Sequence, residues 1–125
     1  MSKLAKKLIE ENWSTQAKTL DLGNCRLSEI PAEVGELVWL ESLYLSDDWI
    51  DPDSKELQST ANLGPVNRPL TNLRVLQGLA GLRNLALTAG KDISPLAQLS
   101  ALRSLSLHLN KGVTDVIPLA SLSAL

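Results

Sequence analysis

The strongest constraint on the fold is a near-duplication in the C-terminal third of the sequence. LRNLALTAGKDISPLAQLSA, starting at Leu82, and LRSLSLHLNKGVTDVIPLASLSA, starting at Leu102, align Leu82, Leu85, Leu87, Asp92, Leu96 and Leu99 with Leu102, Leu105, Leu107, Asp115, Leu119 and Leu122. A unit repeated at this short period must stack on its neighbours, because one copy cannot bury its own apolar face. In L-x-x-L-x-L the leucines alternate with polar residues, as in a half-buried strand; in S-P-L-A-Q-L they stand three apart, as on a helical turn. Each unit therefore reads as a strand followed by a short helix. The 27 leucines, against three tryptophans, one tyrosine and no phenylalanine, fit a repetitive core built from one residue type.

The pattern extends towards the N-terminus. AKTLDLGNCRLSEIPAEVGELVW, from Ala17, places Leu20, Leu22 and Leu27 inward with Cys25 at the turn. Ile30 and Pro31 then open a helical turn that Val34 and Leu37 continue, and proline suits a first helical position because its missing N–H would be unpaired there anyway. LESLYLSDDWI, from Leu40, sets Leu43, Leu45 and Ile50 in register, with Asp48 at the turn. The next clear strand opens only at Leu82, about twice the expected distance. Between them residues 51–69, DPDSKELQSTANLGPVNRP, are rich in Pro, Gly, Ser and Asn. They read as an insertion or a degenerate repeat, on the convex side or edge of the array and mobile. Leu73, Leu76 and Leu79 resume the spacing of Ile93, Leu96 and Leu99. Ser94 and Pro95 are expected as cap and first helical residue of the third repeat; the fourth has Ile117 before Pro118 and loses the capping hydroxyl.

At the other end, Ser2 can cap a helix reaching about Trp13, with Leu4, Leu8, Ile9 and Trp13 along one face. Residues 1–16 are read as a helical cap over the first repeat's open edge, or alternatively as an amphipathic helix for a partner. The chain ends at Leu125 on the first position of a further strand, with nothing polar to close the stack. A domain spanning 1–125, truncated at its C-terminus and able to self-associate through its last strand, is the expectation.

These motifs resemble the leucine-rich repeat over residues 17–125. The resemblance implies an α/β fold: a solenoid with a curved parallel sheet, short helices on the convex side and an N-terminal capping helix. L-x-x-I-P-x-x-V-x-x-L in the first repeat is similar to plant-type intracellular and bacterial proline-containing repeats, and DISPLAQLSAL is similar to the helical turn of internalin-like repeats. The amphipathic helix followed by LDLGNC and a broken second repeat is also similar to the N-terminal repeat region of bacterial Roco proteins, in which a Ras-like GTPase and a dimerisation domain follow.

Catalytic chemistry is hard to find. His108 and Cys25 are the only residues of their types and lie at opposite ends of the array, which argues against a Cys/His metal site and a Ser-His-Asp triad. Gly90 and Lys91 lack the other residues of a phosphate loop. Asp47, Asp48, Asp51, Asp53 and Glu56 form an acidic run without the glycine that a calcium loop needs, so a solvated loop is expected and no cofactor or metal. Cys25 reads as a small buried hydrophobe. A lone cysteine and the absence of a signal pattern suggest the cytoplasm. Asn12, Trp13 and Ser14 match a glycosylation sequon that no secretory route supports. A net charge of -2 points neither to nucleic acid nor to a membrane.

The function expected is therefore a module that binds a protein partner on the concave face; the alternative is a regulatory N-terminal domain of a larger protein such as a Roco-type GTPase. Residues between inward leucines point to the open face, so Thr19, Ser42, Asn84 and Ser104 form one column, Asp21, Tyr44, Ala86 and Ser106 a second, and Gly23, Ser46, Thr88 and His108 a third. Tyr44 and His108 are the only large groups and are placed at the centre of the site, with Asn84 and Ser106 beside them. Arg83 and Arg103 precede the first column in adjacent strands, where like charges repel unless water or an anionic partner patch separates them. Charge along the chain is uneven in the same sense: residues 27–56 hold nine acidic residues against Lys55, while residues 65–111 hold Arg68, Arg74, Arg83, Lys91, Arg103 and Lys111 against Asp92.

Overall fold

The structure is a computed structural model and describes residues 2–90 and 92–109. It opens with helix α1 (Lys3–Thr15). Strands β1 (Thr19–Asp21), β2 (Ser42–Tyr44), β5 (Asn84–Ala89) and β6 (Ser104–Leu109) make a four-stranded sheet in the order β1-β2-β5-β6, each pair parallel. Between β2 and β5 the chain inserts strands β3 (Asp48–Ile50) and β4 (Leu57–Ser59), which pair with each other antiparallel. Three 3-10 helices, Ala32–Glu36, Leu73–Gly78 and Ser94–Gln98, follow β1, the insertion and β5 in turn.

The register is the one the leucines demand. Leu20 stands beside Leu43, Leu43 beside Leu85, and Leu85 beside Leu105, so one residue type repeats across the sheet. On the inner side Leu22, Leu45 and Leu87 share one core cluster with Val34, Leu76 and Leu96 from the 3-10 helices and with Leu37, Leu79 and Leu99, which follow them. Burying each such leucine stabilises the chain by about 1.5–3 kcal/mol relative to leaving it exposed. The backbone repeats as strictly: the N–H groups of Glu41 and Ser42 both point to the carbonyl of Lys18, those of Arg83 and Asn84 to Glu41, and those of Arg103 and Ser104 to Arg83.

The helical turns are 3-10 helices of five or six residues. Two local readings change. Ser94 is not the cap: Ile93 holds that position without a side-chain bond, and the carboxylate of Asp92 accepts the Ser94 N–H at 2.9 Å. Leu85 and Leu87 are fully buried, whereas Leu105 and Leu107 only pack partly against the core, since β6 has a described strand on one side alone. Ile117, Pro118, Leu119 and the edge at Leu125 lie outside the described residues.

Helix α1 begins as expected, with the Ser2 hydroxyl accepting the Ala5 N–H at 3.2 Å, and Ile9 is buried with Leu4 and Leu8 packed partly against the core, but the inward stripe is shifted at its end. Ala5, Ile9 and Asn12 point inward while Trp13 is 53% exposed, resting edge-on against Trp39 with ring centroids 5.5 Å apart. The reason is the Asn12 amide. It donates to the carbonyls of Ala17 (3.1 Å) and Thr19 (3.5 Å) and accepts from the Trp39 indole at 2.7 Å, tying the helix to the entrance of β1. A buried amide so engaged is not available as a glycosylation acceptor in the folded chain.

The insertion is the largest departure from expectation. It belongs to the second repeat and leaves from the end of β2 before Asp48, and the chain rejoins the array at Asn67. The Asn67 amide donates to Leu22 O (2.9 Å) and Leu45 O (2.7 Å) and accepts from Cys25 N (3.1 Å) and Leu27 N (2.8 Å), so one side chain stitches the first two repeats together. Leu70 and Thr71 then bridge Ala89 and Glu29, putting residues 70–71 between the first and third repeats. Cys25 is buried beneath this turn; desolvation, with Asp21 nearby, pushes its thiol up to about 11. Among the described residues no helix is long and apolar enough to cross a membrane.

Candidate interaction surface

The face of the sheet turned away from the leucines carries the expected columns. Thr19, Ser42, Asn84 and Ser104 are in register across all four strands, as are Asp21, Tyr44, Ala86 and Ser106. Thr88 and His108 begin the third column on β5 and β6. The Asn84 amide donates to the Ser42 hydroxyl at 2.8 Å, so the first column is cross-linked rather than a row of free hydroxyls.

This face is not open. The β3–β4 hairpin folds over it instead of lying on the convex side or edge. Trp49 stacks on Tyr44 with ring centroids 4.1 Å apart and planes 3° from parallel. Thr60 donates to both oxygens of Asp21 (2.9 and 2.7 Å), and the Asn62 amide donates to Asp21 O and Gly23 O. The turn from β2 needs Gly23 below it: a Cβ there would stand 2.5 Å from Ser46 O and 2.8 Å from Thr60 Cβ. Tyr44 is consequently 9% exposed, and burial, with the carboxylates of Asp51, Asp53 and Asp21 nearby, pushes its phenol up against the opposing effect of a Ser42 hydrogen bond.

His108 remains exposed and lies 3.9 Å from Asp48 on the hairpin, an ion pair only when the imidazole is protonated. Arg83 meets Glu41 at 3.7 Å. The carboxylate expected from a partner is thus supplied, for Arg83, by the chain itself, while no described carboxylate lies within 4.0 Å of Arg103. Between the sheet and the hairpin turn is a cleft of about 500 Å³, lined on the sheet side by Lys18, Glu41, Arg83, Asn84 and Arg103 and on the hairpin side by Pro52, Asp53 and Lys55. Asp51 holds that turn in shape, accepting both the N–H and hydroxyl of Ser54, and those bonds draw its carboxyl below the usual range. The structure therefore brings Arg83, Asn84 and Arg103 together, sets Ser106 beside Ala86, keeps His108 at the far side by Asp48, and places Tyr44 under Trp49.

Sequence reasoning missed Trp49, Thr60, Asn62 and Asn67. A signal for Asn67 was present: the leucine-rich repeat pattern that the chain resembles takes Asn or Cys after its strand, and the second repeat has none at the expected distance, so the next asparagine preceding the resumed leucines was its candidate. Among the described residues no group of three or more His, Cys, Asp or Glu could hold a metal ion.

No family model matches the sequence, and no curated protein matches it either. Solved structures do. Internalin C2 from Listeria monocytogenes is 30% identical and matches with a TM-score of 0.63, over 91% of this chain and 42% of that one. The neighbour is an internalin. It supports an internalin-like leucine-rich repeat architecture for this chain, with a parallel sheet and short helices, and does not support the similarity to Roco proteins. The present chain spans less than half the length of that neighbour.

Proposed function

We propose that residues 1–125 form one leucine-rich repeat domain, a solenoid capped by α1, that binds a protein partner on the polar face of its sheet at Tyr44, Asn84, Arg83, Arg103, Ser106 and His108. An internalin-like fold suggests a protein-interaction module in general. The observation that supports this placement is the register: two columns of mostly small polar residues run across four strands, and the β3–β4 hairpin adds a second wall beside them. Small residues let a partner's backbone approach the sheet, and a polar aromatic or an arginine makes an anchor. In this reading Tyr44 anchors from beneath, through the Trp49 ring stacked on it, and His108 and Arg103 make direct contact. The chain performs no chemistry of its own.

The test is made with the full chain and a partner protein isolated with it. His108→Ala and Arg103→Ala are expected to weaken the complex, and the wild-type complex to weaken as salt is raised, while Gln77→Ala and Gln98→Ala on the opposite side of the core leave it unchanged. The reverse pattern places the partner on the 3-10 helices and overturns the assignment.

A further inference from the structure

The positions immediately before the four sheet strands form a row that the columns do not include. With Thr19, Ser42, Asn84 and Ser104 in register, the residues preceding them are Lys18, Glu41, Arg83 and Arg103, so the row reads positive, negative, positive, positive. Neighbouring strands stand about 4.8 Å apart, so adjacent charges in the row feel one another. Glu41 is engaged by Arg83 at 3.7 Å, which leaves Lys18 and Arg103 flanking a neutralised pair. Above the row the hairpin turn brings Lys55 and Asp53 to the same cleft. Four cations against two carboxylates surround the cleft, although the chain as a whole is net negative. The excess is therefore a local feature of this cleft.

From this we infer that the cleft between the strand starts and the hairpin turn receives an extended acidic peptide segment of the partner, with one carboxylate against Arg103 and another between Lys18 and Lys55. This deepens the reading of the polar face as the binding surface and rests on it. An extended strand advances about 3.4 Å per residue, so carboxylates four residues apart span about 14 Å, matching the three strand spacings between Arg103 and Lys18. The planar guanidinium of Arg103 can take a carboxylate in a two-point contact, while Lys18 and Lys55 act as point charges. The Asn84 amide and the Thr19 and Ser104 hydroxyls below offer polar partners to a peptide backbone. Glu41 competes with the incoming carboxylate for Arg83.

The probe is a fluorophore-labelled octapeptide alternating Asp and Ser, with an Asn and Ser octapeptide as neutral control, followed by anisotropy with the full chain. The acidic peptide is expected to bind about tenfold or more tightly than the neutral one, a difference of about 1.4 kcal/mol, and to weaken as ionic strength rises. Arg103→Gln and Lys55→Asn should each weaken it about threefold or more; asparagine is chosen at 55 because that residue has φ 62, where asparagine is tolerated. Glu41→Gln should strengthen it. Unchanged thermal midpoints in these exposed-site variants separate lost binding from lost folding. Equal affinity for the two peptides, or no effect of Lys55→Asn, overturns the inference. So does a chain that pairs with a second copy of itself through the cleft, seen as a doubled mass that Arg103→Gln abolishes. If the peptide behaves as expected but the natural partner ignores His108 and Arg103, it is the wider assignment of the partner to this face that fails.

Discussion

At the scale of single residues, the fold depends most on side chains that close several backbone groups at once. Asn67 satisfies two carbonyls and two N–H groups from two repeats. Asn67→Ala would leave these partly buried groups unpaired, and since each unsatisfied group costs about 1–3 kcal/mol, a loss of roughly 2–4 kcal/mol is expected in chemical denaturation, allowing for some rescue by water. A loss under about 0.5 kcal/mol would mean that the stitch carries no stability. The leucines differ by position rather than by type. Leu85 is 1% exposed and Leu105 only partly buried. Leu85→Ala should cost about 2–5 kcal/mol, and Leu105→Ala clearly less, because the transfer and cavity contributions both scale with what was buried. Equal costs would show that Leu105 is covered to the same degree in solution.

At the scale of elements, the hairpin is held by contacts that do not involve the leucine core. Its pairing is three residues long on each strand, and an isolated two-stranded ribbon is marginal in water. What fixes it is the Trp49 ring on Tyr44, the Thr60 bonds to Asp21, and the closing Thr60 N–H to the carbonyl of Asp47 at 2.9 Å. Trp49→Ala removes an aromatic pair worth about 0.5–1.5 kcal/mol beyond its buried area, so a modest destabilisation is expected. The sharper readout is Tyr44, the only tyrosine of the chain. Burial raises its phenol pKa, so uncovering it should move the ultraviolet titration midpoint down towards the ordinary value of about 10. A midpoint unmoved by Trp49→Ala would show that the indole is not what shields Tyr44. Leu57 on β4 is 65% exposed and Ile50, its cross-strand neighbour, 47%, so the hairpin's outer side contributes little to holding it down.

For the whole molecule, stability in a stacked array is a sum of unit and neighbour contributions, so the best protected strands are those with neighbours on both sides. β2 and β5 are flanked on both edges within the four-stranded sheet, whereas β4 pairs only with β3. Native-state hydrogen exchange should be slowest at amides such as Leu45, bonded to Ala86 O at 2.7 Å, and far faster at Thr60 and along β4. Exchange of β4 as slow as that of β5 would show that hairpin and sheet open together as one unit, which would also tie the cleft's second wall rigidly to its first.

The sequence by itself determined the parallel sheet, its register and the identity of the inward leucines, because a period-two pattern repeated at near-constant spacing permits one register and a slip by one residue would turn every leucine outward. It also determined Cys25 as a buried thiol and Ser2 as the cap of α1. Tertiary structure alone decided that Asn12 rather than Trp13 turns inward on α1, since Asn12 is polar and only the carbonyls of Ala17 and Thr19 and the indole of Trp39 make its burial favourable. It also decided where the insertion lies. Residues 48–59 contain no repeat spacing and too short a pairing to specify a face, and their position follows from the Trp49 ring on Tyr44 and from Thr60, which reaches Asp21 across 39 positions of sequence. Contacts of that range leave no periodic trace, so the columns of the polar face were legible and the hairpin that closes over them was not.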